Sequence, residues 1–106
     1  MPSLVQLLEG EKPANSDPIR VDKVPGGKMR YSGGGYCVMQ QMMLDVTGKD
    51  FPTILQERVL GPIGMSKSTF AQPLPSDQLK YAATGYLPNG KMTRGKRHTY
   101  PEMAAA

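Results

Sequence analysis

Apolar residues along this chain gather in short runs divided by Pro- and Gly-rich stretches, and three of those runs carry helical spacing. Leu4, Leu7 and Leu8, with Val5, form the first face; Ser3 stands at the N-cap and Gly10 ends the run. In the second, Tyr36, Met39, Met43 and Val46 recur every three or four positions, and Gly48 falls where a left-handed C′ residue belongs. Those four define the expected buried face. In the third, Asp50 is a good N-cap, Pro52 sits in the first turn, and Phe51, Ile54, Leu55 and Val59 line one side until Gly61-Pro62.

Between these runs the chain reads as turns. Glu11 to Gly27 is long and irregular, punctuated by Pro13, Pro18 and Pro25, with Ile19-Arg20-Val21 as a short extended piece. A connection of that length in a small domain packs on something or frames a site. Ser76 to Leu79 begins a helical turn. Thr84-Gly85-Tyr86-Leu87 reads as a strand entering a Pro88-Asn89-Gly90 turn, with Arg97-His98-Thr99-Tyr100 as its expected hairpin partner. The stretch that organises the whole is Tyr31-Ser32-Gly33-Gly34-Gly35-Tyr36. Three glycines between tyrosines are expected to stand outside regular helix, turning at positive φ or admitting another group closely.

Tyr31-Ser32-Gly33, then Gly35-Tyr36 and its helix, then Gly61-Pro62-Ile63-Gly64-Met65-Ser66-Lys67-Ser68-Thr69-Phe70, resembles the middle of a serine β-lactamase-family protein. The nearest branch is the class C-like one, with its penicillin-binding peptidases and esterases. The resemblance runs through almost the whole chain. It implies that Tyr31 takes the place of the tyrosine in the family's Tyr-Ser/Ala-Asn motif, which helps activate the nucleophilic serine. Gly33 replaces the asparagine, so the amide that would contact substrate is missing. Met103-Ala104-Ala105-Ala106 comes where relatives run on into a glycine-containing stretch and another helix, so the resemblance implies a piece of the larger fold. The expected fold is mainly α: the helical region of the β-lactamase-like fold, about three helices with a small antiparallel hairpin, and the central sheet missing.

The family's nucleophile is the Ser of a Ser-x-x-Lys motif, whose lysine lies one helical turn away and takes the proton. Ser3, Ser16, Ser32, Ser66, Ser68 and Ser76 all lack a lysine three positions on. Thr93-Arg94-Gly95-Lys96 has the spacing, but with a glycine inside and on a loop. The third motif, Lys-Thr/Ser-Gly or His-x-Gly, fails at its glycine in Lys67-Ser68-Thr69 and in His98-Thr99-Tyr100. These residues alone do not build a family-type acyl-enzyme. Tyr31 and Ser32 remain the candidate catalytic pair, and Gly33, Gly34, Gly35 and Tyr36 the candidate ligand-binding residues. A tyrosine acts as a base near neutral pH only where cations depress its pKa from about 10. Lys28 and Arg30 are the cations nearby; the structural alternative is that Tyr31 caps the glycine turn through a hydrogen bond and ring packing.

Composition narrows the rest. At 106 residues the chain is expected to form one small, truncated domain, and eight methionines make for an adaptable core. One cysteine, Cys37, excludes an internal disulfide and reads as a small buried apolar residue. With a single histidine, His98, no His-rich metal centre is possible; no metal and no cofactor is expected. The glycine run precedes a helix but lacks the Gly-Lys-Ser/Thr ending of a phosphate loop. Lys80, Lys91, Arg94, Lys96 and Arg97 lie in a stretch, Gln78 to Pro101, without a carboxylate. That stretch reads as a solvated loop tip, and with no recognised nucleic-acid module a nucleic-acid partner is not expected. No run approaches the roughly 20 apolar residues of a membrane span, and no signal peptide is read at Met1-Pro2-Ser3-Leu4, which makes the cytoplasm the default compartment. Helices deprived of their usual neighbours expose apolar faces, so self-association as a homo-oligomer is expected, with a small-molecule ligand in a cleft near Tyr31.

Overall fold

The computed structural model describes residues 1–95 and 97–105. Lys96 and Ala106, and with Lys96 part of the basic stretch, lie outside the described residues. Helix α1 spans Leu4–Glu9, α2 spans Gly33–Thr47 and α3 spans Phe51–Leu55; α3 runs on as a π-helical turn over Gln56–Leu60. A 3₁₀ helix at Ser76–Tyr81 completes the helices, and no sheet forms among the described residues. The mainly helical reading holds.

Local chemistry sets most of the boundaries. Ser3 and Gln6 form a reciprocal capping box on α1, and Gly10 closes it at φ 67°. Beyond Gly10 the chain folds back: Ile19 N–H donates to the Leu8 carbonyl at 2.8 Å, and Arg20 pairs with Glu9 at 3.0 Å. Gly48 ends α2 at φ 65°, and Asp50 caps α3 by accepting from Thr53 N–H at 3.0 Å. Helix α2 is central, packing against both α1 and α3.

Four expectations are corrected. Gly33, Gly34 and Gly35 are not a turn ahead of the helix: they are its first turn, and none has positive φ. Ser32 is the reason, since its Oγ accepts from Gly35 N–H at 3.0 Å and caps a helix that glycine propensity alone would not start.

The buried face of α2 also differs. Cys37 and Gln40 are buried and Met43 is half-buried, while Tyr36, Met39 and Val46 face solvent. In α3 the buried residues are Phe51 and Ile54, followed by Leu60 in place of Val59. The π turn explains the change: Gly61 N–H reaches back five residues to the Gln56 carbonyl, and the wider turn rotates the following side chains. Phe51 meets Phe70 edge to face, with ring centroids 5.6 Å apart.

The hairpin closes on Met92, not on Arg97–Tyr100. Tyr86 bridges Met92 around Asn89-Gly90, with Gly90 at φ 77°. Leu87 N–H donates to the Lys91 carbonyl at 2.7 Å, and Thr93 N–H to the Gly85 carbonyl at 2.9 Å. The expected partner strand is diverted because Arg97 turns inward and donates to the carbonyls of Leu79 and Ala82, at 3.3 and 3.0 Å. That removes Arg97 from the exposed basic stretch.

Gln40 fastens the C-terminal segment to α2. Gln40 donates from Nε2 to the Pro101 carbonyl at 3.0 Å and accepts at Oε1 from Ala104 N–H at 2.9 Å. A glutamine inside an apolar helix thus holds a segment some sixty positions away.

Candidate functional site

The candidate catalytic and ligand-binding residues, Tyr31 to Tyr36, lie together at the head of α2. Ser32 is exposed, and its Oγ is engaged as the helix cap. Tyr31 precedes it, 64 % exposed, with its ring 5.7 Å from that of Tyr36. The two tyrosines thus stand together at the head of the helix, with the glycine turn between them in sequence.

The three glycines meet different neighbours. A Cβ on Gly34 would lie 2.5 Å from Ile19 Cγ2, so the fold-back of the Glu11–Gly27 connection uses the bare backbone there. Of the two roles glycine was expected to serve, close approach is the one realised. A Cβ on Gly33 would meet Ala105 at 3.7 Å, and one on Gly35 would meet Ser32 Oγ at 3.5 Å, both ordinary contacts.

Of the two cations expected near Tyr31, Arg30 is already engaged. The Arg30 guanidinium takes both carboxylate oxygens of Asp22, with Nη1 donating to Oδ2 at 3.0 Å and Nη2 to Oδ1. The hydrogen bond from Arg30 holds the Asp22 carboxyl below the usual carboxylate range, and Asp22 raises Arg30 in return. Arg30 is therefore turned toward Asp22. On the packed side of α2, burial pushes the Cys37 thiol up, with the Glu102 carboxylate adding to the shift. Cys37 is a buried apolar residue, as expected.

Neither Tyr31 nor Ser32 lines the groove beside the 3₁₀ helix. That groove, of about 790 Å³, lies between the Ser66–Thr69 loop and the 3₁₀ helix, with Leu74, Asp77 and Tyr81 on its walls. A smaller cavity of about 210 Å³ is walled by Thr47, Lys49, Ile54, Glu57 and Arg58, and Lys49 pairs with Glu57 at 2.6 Å. The groove went unread in the sequence because it is built across a loop and a 3₁₀ turn that carry no periodicity. The Gln40 clasp had one available signal, a glutamine amid apolar neighbours. Among the described residues no three His, Cys, Asp or Glu side chains gather where they could hold a metal ion, and no helix is long and apolar enough to cross a membrane.

With this geometry in hand, the sequence model of the β-lactamase family matches residues 2–106. The chain belongs to the β-lactamase family. No curated protein and no solved structure matches it. The match spans the head of α2, the Gly61–Phe70 loop and the groove beside the 3₁₀ helix alike. It leaves the branch within the family open.

Proposed function

We propose that this chain derives from a serine hydrolase of the class C-like β-lactamase, peptidase or esterase type and presents the helical side of that enzyme's ligand site. The observation that carries the reading is the family match over residues 2–106, together with Tyr31 and Ser32 side by side at the head of α2. Tyr36, its ring tilted against that of Tyr31, supplies an exposed aromatic wall for a small lactam or ester lying across the head of the helix.

Hydrolysis by these residues alone is weak or absent. Ser-x-x-Lys and Lys-Thr-Gly do not occur among the 106 residues, Ser32 is occupied as a cap, and Arg30 is engaged with Asp22. Intact mass after incubation with a penicillin and with a fluorophosphonate tests the reading. A stoichiometric adduct mapped to Ser32, lost in Tyr31→Phe, supports a surviving nucleophile. No adduct on folded protein reduces the hydrolase to ancestry.

A second reading, a self-associating module without catalysis, is favoured by a separate observation. Val38, Met39, Met42 and Val46 of α2 are exposed on a helix whose one charged residue is Asp45. A helix apolar on all sides belongs in an interior.

A further inference from the structure

The segment that Gln40 holds lies along the same side of α2 as the first of the candidate ligand-binding glycines. Gly33, Cys37 and Gln40 follow one another at four- and three-residue steps, which puts them on one side of the helix. Residues 101–105 reach that side at each step. Gln40 takes the Pro101 carbonyl and the Ala104 N–H. The Cys37 thiol is raised by burial and then by the Glu102 carboxylate. At the head of the helix, a Cβ on Gly33 would stand 3.7 Å from that of Ala105. The segment itself is a run of turns, half-buried throughout, with Ala105 N–H donating to the Glu102 carbonyl at 3.0 Å.

One group of the segment opposes its closure. Glu102 Oε2 is buried without a hydrogen-bond partner among the described residues. Burying a carboxylate oxygen that no donor meets is costly, and the cost is recovered when the segment lifts and the oxygen meets water. The two bonds of Gln40 therefore work against the desolvation of Glu102. A half-buried run of turns in that balance is the kind of unit that opens while the helix beneath it stays folded. Resting on the proposed ligand site at the head of α2, we infer that residues 101–105 are a strap that shuts the Gly33 side of that site, with Gln40 as its latch, and that a small ligand seated over Gly33 displaces it. Ala105 fills the space over Gly33, so strap and ligand exclude each other there. Opening and binding are then coupled, each favouring the other by the same factor. Gln40 acts through the strap and is a positioning residue.

Two variants of opposite sign test this, read by binding of benzylpenicillin in equilibrium dialysis and by amide exchange at Ala104. Gln40→Ala frees the strap and should bind penicillin about tenfold tighter or more, having lost both latch bonds. A bond that merely holds the fold together predicts no such gain. Glu102→Gln buries a neutral amide in place of the carboxylate, so the strap should close more firmly, slowing Ala104 exchange and weakening penicillin binding, each by several-fold. In the unsubstituted chain, saturating penicillin should quicken exchange at Ala104 while leaving Met43, in the middle of α2, unchanged. Circular dichroism establishes that each variant is folded; if Gln40→Ala is not, Glu102→Gln and the effect of penicillin on Ala104 decide. Equal affinity in the folded chains, or penicillin that slows Ala104 exchange, overturns the inference and leaves the ligand site standing. Penicillin bound by none of the chains overturns the ligand site, and the strap's role falls with it.

Discussion

Adjacent glycines at the head of α2 should respond to the same substitution with opposite sign. Replacing glycine by alanine in a helix ordinarily stabilises by about 0.5–1 kcal/mol, because the unfolded chain loses freedom. Gly35→Ala should collect that gain, since its new methyl meets only Ser32 Oγ at 3.5 Å. Gly34→Ala should not. Its methyl would lie 2.5 Å from Ile19 Cγ2 and 3.1 Å from Cδ1. The Ile19 backbone is held, its N–H tied to the Leu8 carbonyl and its neighbour Arg20 to Glu9, so Cγ2, branching directly from Cβ, can retreat only by a change of rotamer. Overpacking of this kind costs about 1–3 kcal/mol. Set against the helix gain, Gly34→Ala should lose about 1 kcal/mol net and Gly35→Ala should gain about 0.5.

Urea denaturation at fixed chain concentration measures both, and a thermal melt should separate the two variants by several degrees. The decisive arm is the double variant Ile19→Ala/Gly34→Ala. If the clash is the cause, trimming Ile19 relieves it, and the pair should show a favourable coupling of about 1 kcal/mol or more. Equal effects of the two glycine substitutions would refute the reasoning. So would a Gly34→Ala loss that persists unchanged in the Ile19→Ala background, since Gly34 would then be constrained by something other than packing.

Two further outcomes follow from the packed side of α2. Gln40→Ala should cost about 2–3 kcal/mol, because it leaves the Pro101 carbonyl and Ala104 N–H without partners; Gln41→Ala, which loses only an exposed bond to Asp45, should cost a few tenths. Hydrogen exchange at Ala104 should quicken in the first variant alone. The Cys37 thiol is raised by burial and then by Glu102, so the thiolate form, which is the reactive one, appears at higher pH than in a free cysteine. Its labelling by a thiol reagent at neutral pH should be much slower than in urea-unfolded chain, and the pH profile of the native rate should move down in Glu102→Gln; equal native and unfolded rates would contradict the burial.

Where a boundary is set by neighbours in sequence, it could be read from the sequence. Ser3 and Gly10 around α1, Gly48 after α2, Asp50 before α3 and the Asn89-Gly90 turn all act over a few residues, and each stands where expected. The start of α2 could not be read this way, because a serine cap and the seat of Ile19 on Gly34 together outweigh the poor helix propensity of three glycines. Nor could the buried side of α2. Tyr36, Cys37, Val38, Met39, Met42, Met43, Leu44 and Val46 surround the helix, so periodicity offers several faces and selects none. The face was chosen by Gln40, whose partners lie in the C-terminal segment. In the candidate site, the identities of Tyr31 and Ser32 were legible, but the diversion of Arg30 to Asp22 was not, since it depends on a loop closing across eight positions.

Ser32 has two roles that compete for one oxygen. As the cap of α2, its Oγ accepts from Gly35 N–H, and the loss of such a cap costs about 1 kcal/mol. As a nucleophile, the same oxygen would become an ester oxygen, a poorer acceptor, so acylation would loosen the helix that positions it. An activated serine answers this with a base that takes the proton, held in place by a third group. Within the single chain no lysine stands at the required spacing, and the guanidinium beside Tyr31 serves Asp22. The water around an exposed Tyr31 further screens whatever charge lies nearby. Capping is thus complete with the residues present, whereas attack needs a base at the family's spacing and a water-excluding cover, and Ser32 has neither a lysine three positions on nor burial. Uncovered surface and incomplete chemistry are one deficit, and a reactive Ser32 would have to gain both from whatever closes over this face.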